Sequence, residues 1–397
     1  MAAFRRTRWV AFSHEDVVAV DLGALLEGAL DVKRTSGIVA SSALTGEETA
    51  LSPEELEVLA ALSTDGWTPA QDLGASADIA YRLAERGLLT CDADDEPLRS
   101  LRERDERLET EQWNRYAAQF HFVQRRREGT SITLDDAQRF EPEIASTLEA
   151  IVAAQGPPPP AFHTRNVERS YSLELDDAEG ELYDALRARR TARRFDDAPV
   201  SLRNLSTLLR YTFGCHGYWR YTEALIALRK TAPSGGGLHP IEAYPLALNV
   251  EGIPVGAYHY NVERHALDLL APMDPADART RVGEAACGQQ FFAAAGVVIV
   301  LAARFFRSFW KYRDDPRAYS VLLMDVGHVA QTFHLVGANI GLGTFITAAV
   351  DAPSAEALID VDGLSEGAIA FLGCGHPSGE RSVLDRDPIP YSPKTLA

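Results

Sequence analysis

The period of the apolar positions changes several times along the chain. RWVAF and DVVAVDL are short apolar stretches separated by SHED, which predicts small strands in a hairpin within residues 4–42. The pattern then becomes helical. In LSPEELEVLAALSTDG, Ser52 is placed as N-cap, Pro53 as the first helical residue and Glu55 as the third, and Leu56, Leu59 and Ala60 share a face. TPAQDLG repeats the device with Thr68, Pro69 and Gln71, and a third helix starts at Ser76, turns Ile79, Ala80 and Leu83 inward and stops at Gly87. Short helices beside a small sheet predict a winged-helix-like α+β domain over residues 1–92.

Residues 93–178 predict a helical and Pro-rich linker region. Trp113, Tyr116, Phe120 and Val123 recur at i, i+3, i+7 and i+10 and predict one packed face, RRRE at 125–128 a solvated helix end, and QGPPPP at 155–160 an extended linker. The larger domain, 179–397, opens with two amphipathic helices. The first carries Leu182, Ala185 and Leu186; the second runs from Ser201 to Gly214 and carries Leu202, Leu205, Leu208 and Leu209. VGAYHYNVERHALDLL predicts a hairpin turning at Asn261 to Arg264, and Gly296 to Ala303 a buried strand. SVLLMDVGHVAQTFHLVGANIGLGT predicts a long helix in which Gly327, Ala330 and Ala338 permit close packing.

Composition narrows the function. A chain of 397 residues exceeds the usual size of one core, so two domains are expected, and 46% hydrophobic residues can fill them. A net charge of −18 repels nucleic acid and anionic membranes. Cys91, Cys215, Cys287 and Cys374 are far apart, with no CxxC, which argues against zinc or a disulfide framework and for a reducing cytoplasm. The N-terminus lacks a signal-peptide apolar run, and FFAAAGVVIVLAARFF is too short to span a bilayer.

Against this acidic background, RARRTARRF at 187–195 concentrates five arginines in nine residues. It lies between two helices, where alternate side chains converge on one anion. A helix dipole would account for Arg189 and Arg190 but not for Arg193 and Arg194 beyond them. In TAPSGGGLHPIEAY, three glycines after Ser234 let backbone approach a flat ligand; it is not a P-loop, since no GK[ST] follows. His239 and His328 are read as hydrogen-bonded pocket or core residues rather than proton carriers.

The order of these signals over about residues 180–380 resembles the flavin-dependent nitroreductase superfamily, and within it the SagB-type dehydrogenases that oxidise peptide azolines. RRTARRF is similar to RRSxRxF with Thr191 in place of Ser, and PSGGGLHPIEAY to PSxGGLHPxE. ACGQQF, WKYR and GHVAQTFHLVGANIGLGTFITAAVD follow in the family's order. The N-terminal part resembles the extension of peptide-maturation dehydrogenases and, coarsely, winged-helix elements that bind leader peptides.

The resemblance implies a nitroreductase-like FMN fold at the C-terminus. It implies that Arg189, Thr191 and Arg193 bind FMN with Arg190 alongside, that guanidinium forks meet its phosphate, and that a cation stabilises the reduced ring. Ser234, Gly235 and Gly236 would line the isoalloxazine. Backbone near Thr347 and Ala348 would face N5, although ITAAVD is one residue longer than the usual IGAFD, and Arg381 would add a phosphate contact. Lys311 and Tyr312 would remove a substrate proton: tyrosine, with an ordinary pKa of about 10, needs a neighbouring cation to act as a base. Also implied are a homodimer, a precursor peptide substrate, cyclodehydratase-type partner enzymes and dioxygen as electron outlet. Two alternatives stay open. One is an NAD(P)H-dependent reductase of nitro compounds, quinones or dehydroamino acids; the other is a non-catalytic peptide-recruiting scaffold.

Overall fold

The computed structural model describes residues 2–20, 32–123, 125, 149, 152–162, 165, 167–171, 173, 178–313 and 315–379. Its first elements are β1 (Ala3–Arg6), β2 (Val10–Val20), β3 (Val32–Ser42), β4 (Glu47–Leu51), α1 (Pro53–Ala61), β5 (Thr68–Pro69), α2 (Ala70–Leu73), α3 (Ala77–Glu85), β6 (Leu89–Cys91), α4 (Leu98–Thr110) and α5 (Arg115–Val123). Then come α6 (Glu181–Ala188), α7 (Leu202–Phe213), β7 (Gly217–Arg220), β8 (Ile226–Arg229), β9 (Ile241–Ala247), β10 (Gly256–Asn261), β11 (Ala266–Pro272) and α8 (Pro275–Ala285). The last are β12 (Val297–Arg304), α9 (Phe305–Tyr312), α10 (Arg317–Asn339), β13 (Gly343–Thr347), α11 (Ala352–Ile359) and β14 (Glu366–Gly375). Packing groups Met1–Arg126 with Arg304–Leu322 as one unit, and Arg127–Ala303 with Leu323–Ala397 as another.

In the first unit β1 lies between β5 and β6, while β2, β3 and β4 form a second antiparallel sheet. The α1 capping box is present: Ser52 Oγ accepts from Glu55 N–H at 3.2 Å, and the Glu55 carboxylate accepts from Ser52 N–H at 2.9 Å. The buried stripe is Val58, Leu59 and Leu62, with Ala60 exposed, so the expected face is rotated by part of a turn. The second expected helix is the short α2, whose N-cap is Pro69 with no side-chain cap, because Thr68 and Pro69 pair with β1 as strand β5. Phe4, fully buried and edge-on to Tyr81 at 4.9 Å, contributes about 2–3 kcal/mol by its burial.

The face expected from Trp113, Tyr116, Phe120 and Val123 is absent. Gln112, with φ +59°, breaks the chain between α4 and α5, and Asn114 Oδ1 then accepts from Tyr116 N–H at 3.0 Å. Trp113 therefore stands outside α5, Tyr116 and Phe120 are exposed, and Ala117, Ala118, His121 and Phe122 are buried instead. Trp113 is the hub of an aromatic cluster, with ring centroids 5.1 Å from Phe122, 4.7 Å from Phe305 and 4.9 Å from Phe309. Through the last two, α9 belongs to the first unit although it lies far along the chain.

The second unit is built on a six-stranded sheet in the order β11-β10-β9-β12-β14-β13. Val297 to Ala303 of β12 have no exposed surface, which explains an unbroken apolar strand rather than an alternating one. Ser201 caps α7 by accepting from Asn204 N–H at 3.1 Å, and Leu205, Leu208 and Leu209 are buried as expected, whereas Leu202 is exposed. On α6 only Ala185 is buried; Leu182 and Leu186 are 60% and 45% exposed. At Gly337 of α10 a Cβ would stand 2.4 Å from Thr344 Cγ2 of β13, while Gly327 faces open space. Among the described residues α10 is the one helix long and apolar enough to cross a membrane, yet it buries Asp325 and His334 within the unit.

Candidate functional site

The arginine-rich segment is more than a turn between α6 and α7. It runs extended along the exposed edge of the sheet, where β13 has ladder groups to offer. Thr191 bridges Thr344, Ala192 N–H donates to Thr344 O at 2.9 Å, and Phe195 bridges Pro377. Asp196 N–H donates to His376 O at 2.9 Å, and Ser378 N–H to Arg194 O at 3.1 Å. Two glycines permit the close fit. A Cβ at Gly343 would come 2.7 Å from Ala192 Cβ, and one at Gly375 would come 2.8 Å from Phe195 Cδ1. Arg189, Arg193 and Arg194 are consequently half-buried on a fixed edge, with Arg190 exposed.

Beneath this segment lies a group that the sequence reading missed. His334 of α10 is buried, and its Nδ1 is 2.7 Å from Thr344 Oγ1. Burial, followed by the charge of Arg189, holds its pKa down to about 4. The imidazole is neutral near pH 7, so it adds no competing positive charge. A helical-period signal was available: Val326, Ala330 and Phe333 mark the buried side of α10, and His334 falls with them.

The glycine turn, Gly235–Gly237, has φ +65° at Gly236 and +68° at Gly237. Asp325, buried on α10, fixes it. Ser234 Oγ donates to Asp325 Oδ2 at 2.5 Å and accepts from His239 N–H at 2.8 Å, while Gly235 N–H donates to Asp325 Oδ1 at 3.0 Å. The single proton of the Ser234 hydroxyl is thus committed to Asp325. His239 Nε2 lies 3.1 Å from Leu228 O, a hydrogen-bonded pocket residue as expected. His328 is 44% exposed, with Nδ1 3.8 Å from Asp325 Oδ1, and so belongs to neither core nor pocket, because its position on α10 turns off the buried stripe.

The structure brings Arg189, Thr191, Thr344 and His334 together, and separately Ser234, Gly235 and Asp325. Asp325 and His334 are nine residues apart on α10, hence half a turn round the helix and about 14 Å along it. Thr347 ends β13, its Oγ1 accepting from Ala349 N–H at 3.0 Å, and Ala348 is exposed just beyond. Arg381 lies outside the described residues. Lys311 and Tyr312 close α9 in the first unit, Tyr312 at the i+7 position on the same face as its buried Phe305, Ser308 and Phe309 and Lys311 turned off that face. Lys311 is exposed, Tyr312 half-buried, and the ammonium stands 5.5 Å from the phenol ring centroid.

Guanidinium groups fixed along a sheet edge suit a phosphate, and a positive-φ glycine turn with open space where the Gly237 Cβ would stand suits a flat ring. The residues present therefore fit a phosphorylated planar cofactor such as FMN. Among the described residues no group of three or more His, Cys, Asp or Glu is arranged to hold a metal.

The chain belongs to the nitroreductase family, whose profile matches residues 186–376, and its fold is that family's. A nitroreductase-like protein of Methanocaldococcus jannaschii, MJ1384, is 33% identical over 173 residues, which are 43% of this chain and 81% of MJ1384. The trifolitoxin-processing protein TfxB of Rhizobium leguminosarum bv. trifolii is 32% identical over 144 residues; these are 36% of this chain and only 38% of TfxB. A chain of the E. coli microcin synthetase McbBCD complex with truncated pro-MccB17 aligns at 20% identity and a TM-score of 0.42, over 63% of this chain and 99% of that one. The family match and MJ1384 make the chain a nitroreductase-family oxidoreductase with an α+β C-terminal domain, preceded by a smaller α+β region.

Proposed function

We propose that this chain is an FMN-dependent dehydrogenase of the SagB type that desaturates a ribosomally made peptide, converting an azoline to an azole or making a similar double bond. The observation that carries the flavin reading is the row of half-buried arginines pinned to β13 above a neutral His334. The peptide reading is supported by the ordered motifs from RRTARRF to ITAAVD and by the similarity to TfxB, a trifolitoxin-processing protein.

In this reading Arg189, Arg190, Thr191 and Arg193 hold the phosphate and the polar end of the ring. Ser234, Gly235 and Gly236 line the ring, Thr347 and Ala348 present backbone to it, and Arg381 adds a phosphate contact. Bound FMN supplies the two-electron acceptor. Lys311 and Tyr312 remove the acidic Cα proton, Tyr312 as the acceptor with the Lys311 ammonium beside its ring. Residues 1–92 serve the peptide, 93–178 connect, and 179–397 carry the flavin.

One chain keeps its arginine segment and its glycine turn on different sides of α10, which supports a homodimer in which one subunit's segment meets the other's turn. Exposed Leu182, Tyr183 and Leu186 on α6 supply an apolar surface for that pairing. The enzyme would work in the cytoplasm beside a cyclodehydratase-type partner, with dioxygen reoxidising the flavin.

The test is spectroscopic. The purified protein is expected to show flavin absorbance, bleached without oxygen by a cyclised azoline peptide and not by NAD(P)H. A colourless protein that cannot be reconstituted with FMN sinks the reading. Rapid bleaching by NAD(P)H alone supports a second one, a small-molecule reductase, which the similarity to MJ1384 favours.

A further inference from the structure

The second unit contains a cavity of about 330 Å³ between α7 and the β10–β11 hairpin, with no lining residue in the arginine segment or the glycine turn. Its volume falls at the lower end of the range for small-molecule sites. Leu205 and Leu209 of α7 line it, together with Ile253, and no Asp, Glu, Lys or Arg is among its lining residues. A charged ligand would lose its hydration there without gaining a partner, so an uncharged one fits.

The polar groups at the cavity form one chain. Ser206 Oγ is 2.9 Å from His265 Nε2, and His265 Nδ1 is 2.7 Å from the Tyr260 hydroxyl. All three residues line the cavity, and among the described residues these two are the only hydrogen bonds of the three side chains. Counting a neutral imidazole, the chain holds three hydrogens and makes two bonds, so one hydroxyl hydrogen is left unspent. When the donors run from Tyr260 through His265 to Ser206, it is the serine's; in the reverse order it is the tyrosine's. Both ends line the cavity, so either order offers one donor to whatever fills it, and an unspent donor calls for an acceptor.

The backbone is shaped to hold this chain. His265 closes the hairpin turn with φ +47°, a left-handed conformation uncommon for any residue but glycine. Glycine would make the same turn freely; the histidine kept there ties Ser206 on the helix to Tyr260 on the strand. A Ser–His pair is also the geometry of an activated nucleophile. Ser206 lies inside α7, however, where its own N–H and the next are spent on helix bonds, which leaves no oxyanion hole beside the hydroxyl. The arrangement binds rather than acylates.

We propose that this cavity binds a small uncharged molecule whose apolar body carries one carbonyl oxygen. The carbonyl accepts the unspent hydroxyl hydrogen, and the body lies among Leu205, Leu209 and Ile253. The site is independent of the flavin reading.

The experiment is an NMR titration of the full chain, methyl-labelled at isoleucine, with acetophenone, ethylbenzene and benzoate as separate probes. The Ile253 methyl, assigned by Ile253→Val, reports the cavity. Acetophenone is expected to move that signal and to bind about fivefold more tightly than ethylbenzene, the gain from one neutral hydrogen bond. A cavity with no polar demand would show the reverse order, because ethylbenzene is the more hydrophobic of the two. Benzoate, similar in size but charged, is expected not to bind. Ser206→Leu fills the space and removes the hydroxyl, and should abolish the response. Circular dichroism identical to wild type certifies its fold, and the three-probe comparison on wild type decides without it. An unmoved Ile253 signal, ethylbenzene or benzoate bound as tightly as acetophenone, or a response that survives in folded Ser206→Leu overturns the proposal. So does an Ile253 signal that shifts on dilution of the unliganded protein, which would make this face a contact between copies. The visible spectrum is recorded on the same samples. A yellow protein that ignores acetophenone refutes this site alone, and a colourless one that binds it refutes the flavin reading alone.

Discussion

Asp325 closes the glycine turn from behind, its carboxylate accepting from Ser234 Oγ at 2.5 Å and from Gly235 N–H at 3.0 Å. Both donors depend on one buried side chain, and each would cost about 1–3 kcal/mol if left unsatisfied. Asp325→Ala should therefore lower the thermal midpoint and weaken flavin retention more than Ser234→Ala, which removes a donor together with its need for a partner. Thermal unfolding, together with the fluorescence of released flavin, measures both. Equal losses in the two variants would refute the double role of the carboxylate.

His334 gives the fold a dependence on pH. Its folded pKa of about 4 lies below the ordinary histidine value of about 6.5. The unfolded chain takes up this proton first as pH falls, so the contribution of the neutral imidazole is complete above pH 6.5. It is lost progressively as pH drops towards 4, by roughly 2 kcal/mol between pH 6.5 and 5. His334→Gln should unfold with a shallower pH dependence over that window. Urea midpoints at pH 7 and pH 5 for both proteins test this, and parallel slopes would remove His334 as the cause.

Elements whose signal is local were legible. The Ser52 capping box, the α7 cap at Ser201, the β10–β11 turn at Asn261 and the buried run of β12 each depend on residues within a few positions of one another. What depended on distant chain was not. The periodicity from Trp113 to Val123 ignored the break at Gln112, and the ring that fills the space beside Trp113 comes from Phe305. Thr68 and Pro69 have the composition of a helix start, but the edge of β1 claims them. For the site, the arginine cluster and the glycine turn were visible as composition, whereas their supports, Asp325 and His334, looked like ordinary polar positions on a long helix. Only packing gives those two residues their roles.

In the proposed function, substitutions at Tyr312 and Lys311 separate cofactor binding from proton removal. Tyr312→Phe keeps the ring that the Lys311 ammonium approaches at 5.5 Å and deletes the hydroxyl. Flavin content should be unchanged, while peptide-dependent flavin reduction slows by roughly 10²- to 10⁴-fold, the usual loss for a general base. Lys311→Met should slow reduction less, because it removes the neighbouring ammonium and leaves the phenol in place. Stopped-flow absorbance at several pH values reads both effects. A Tyr312→Phe enzyme as fast as wild type takes the residue out of the mechanism.

The arginine segment can be displaced without touching an arginine. Gly343 opens β13 at the point where Ala192 crosses it, and a Cβ there would stand 2.7 Å from Ala192 Cβ and 3.2 Å from Pro377 Cβ. Neither neighbour is the free end of a long side chain, so backbone must move, and the backbone nearest to hand is the segment carrying Thr191 and Arg193. The Ala192 N–H to Thr344 O bond at 2.9 Å, which sets the height of that segment on the sheet, is the first contact to lengthen. Gly343→Ala should cost about 1–3 kcal/mol of stability through overpacking. It should weaken FMN by a larger factor than that loss of folding alone explains, since fork geometry at a phosphate tolerates little displacement. Titrating apoprotein with FMN by fluorescence quenching, beside urea unfolding of the same variant, separates the two effects. If the variant is destabilised yet binds FMN as wild type does, the register of this segment on β13 does not set the cofactor site.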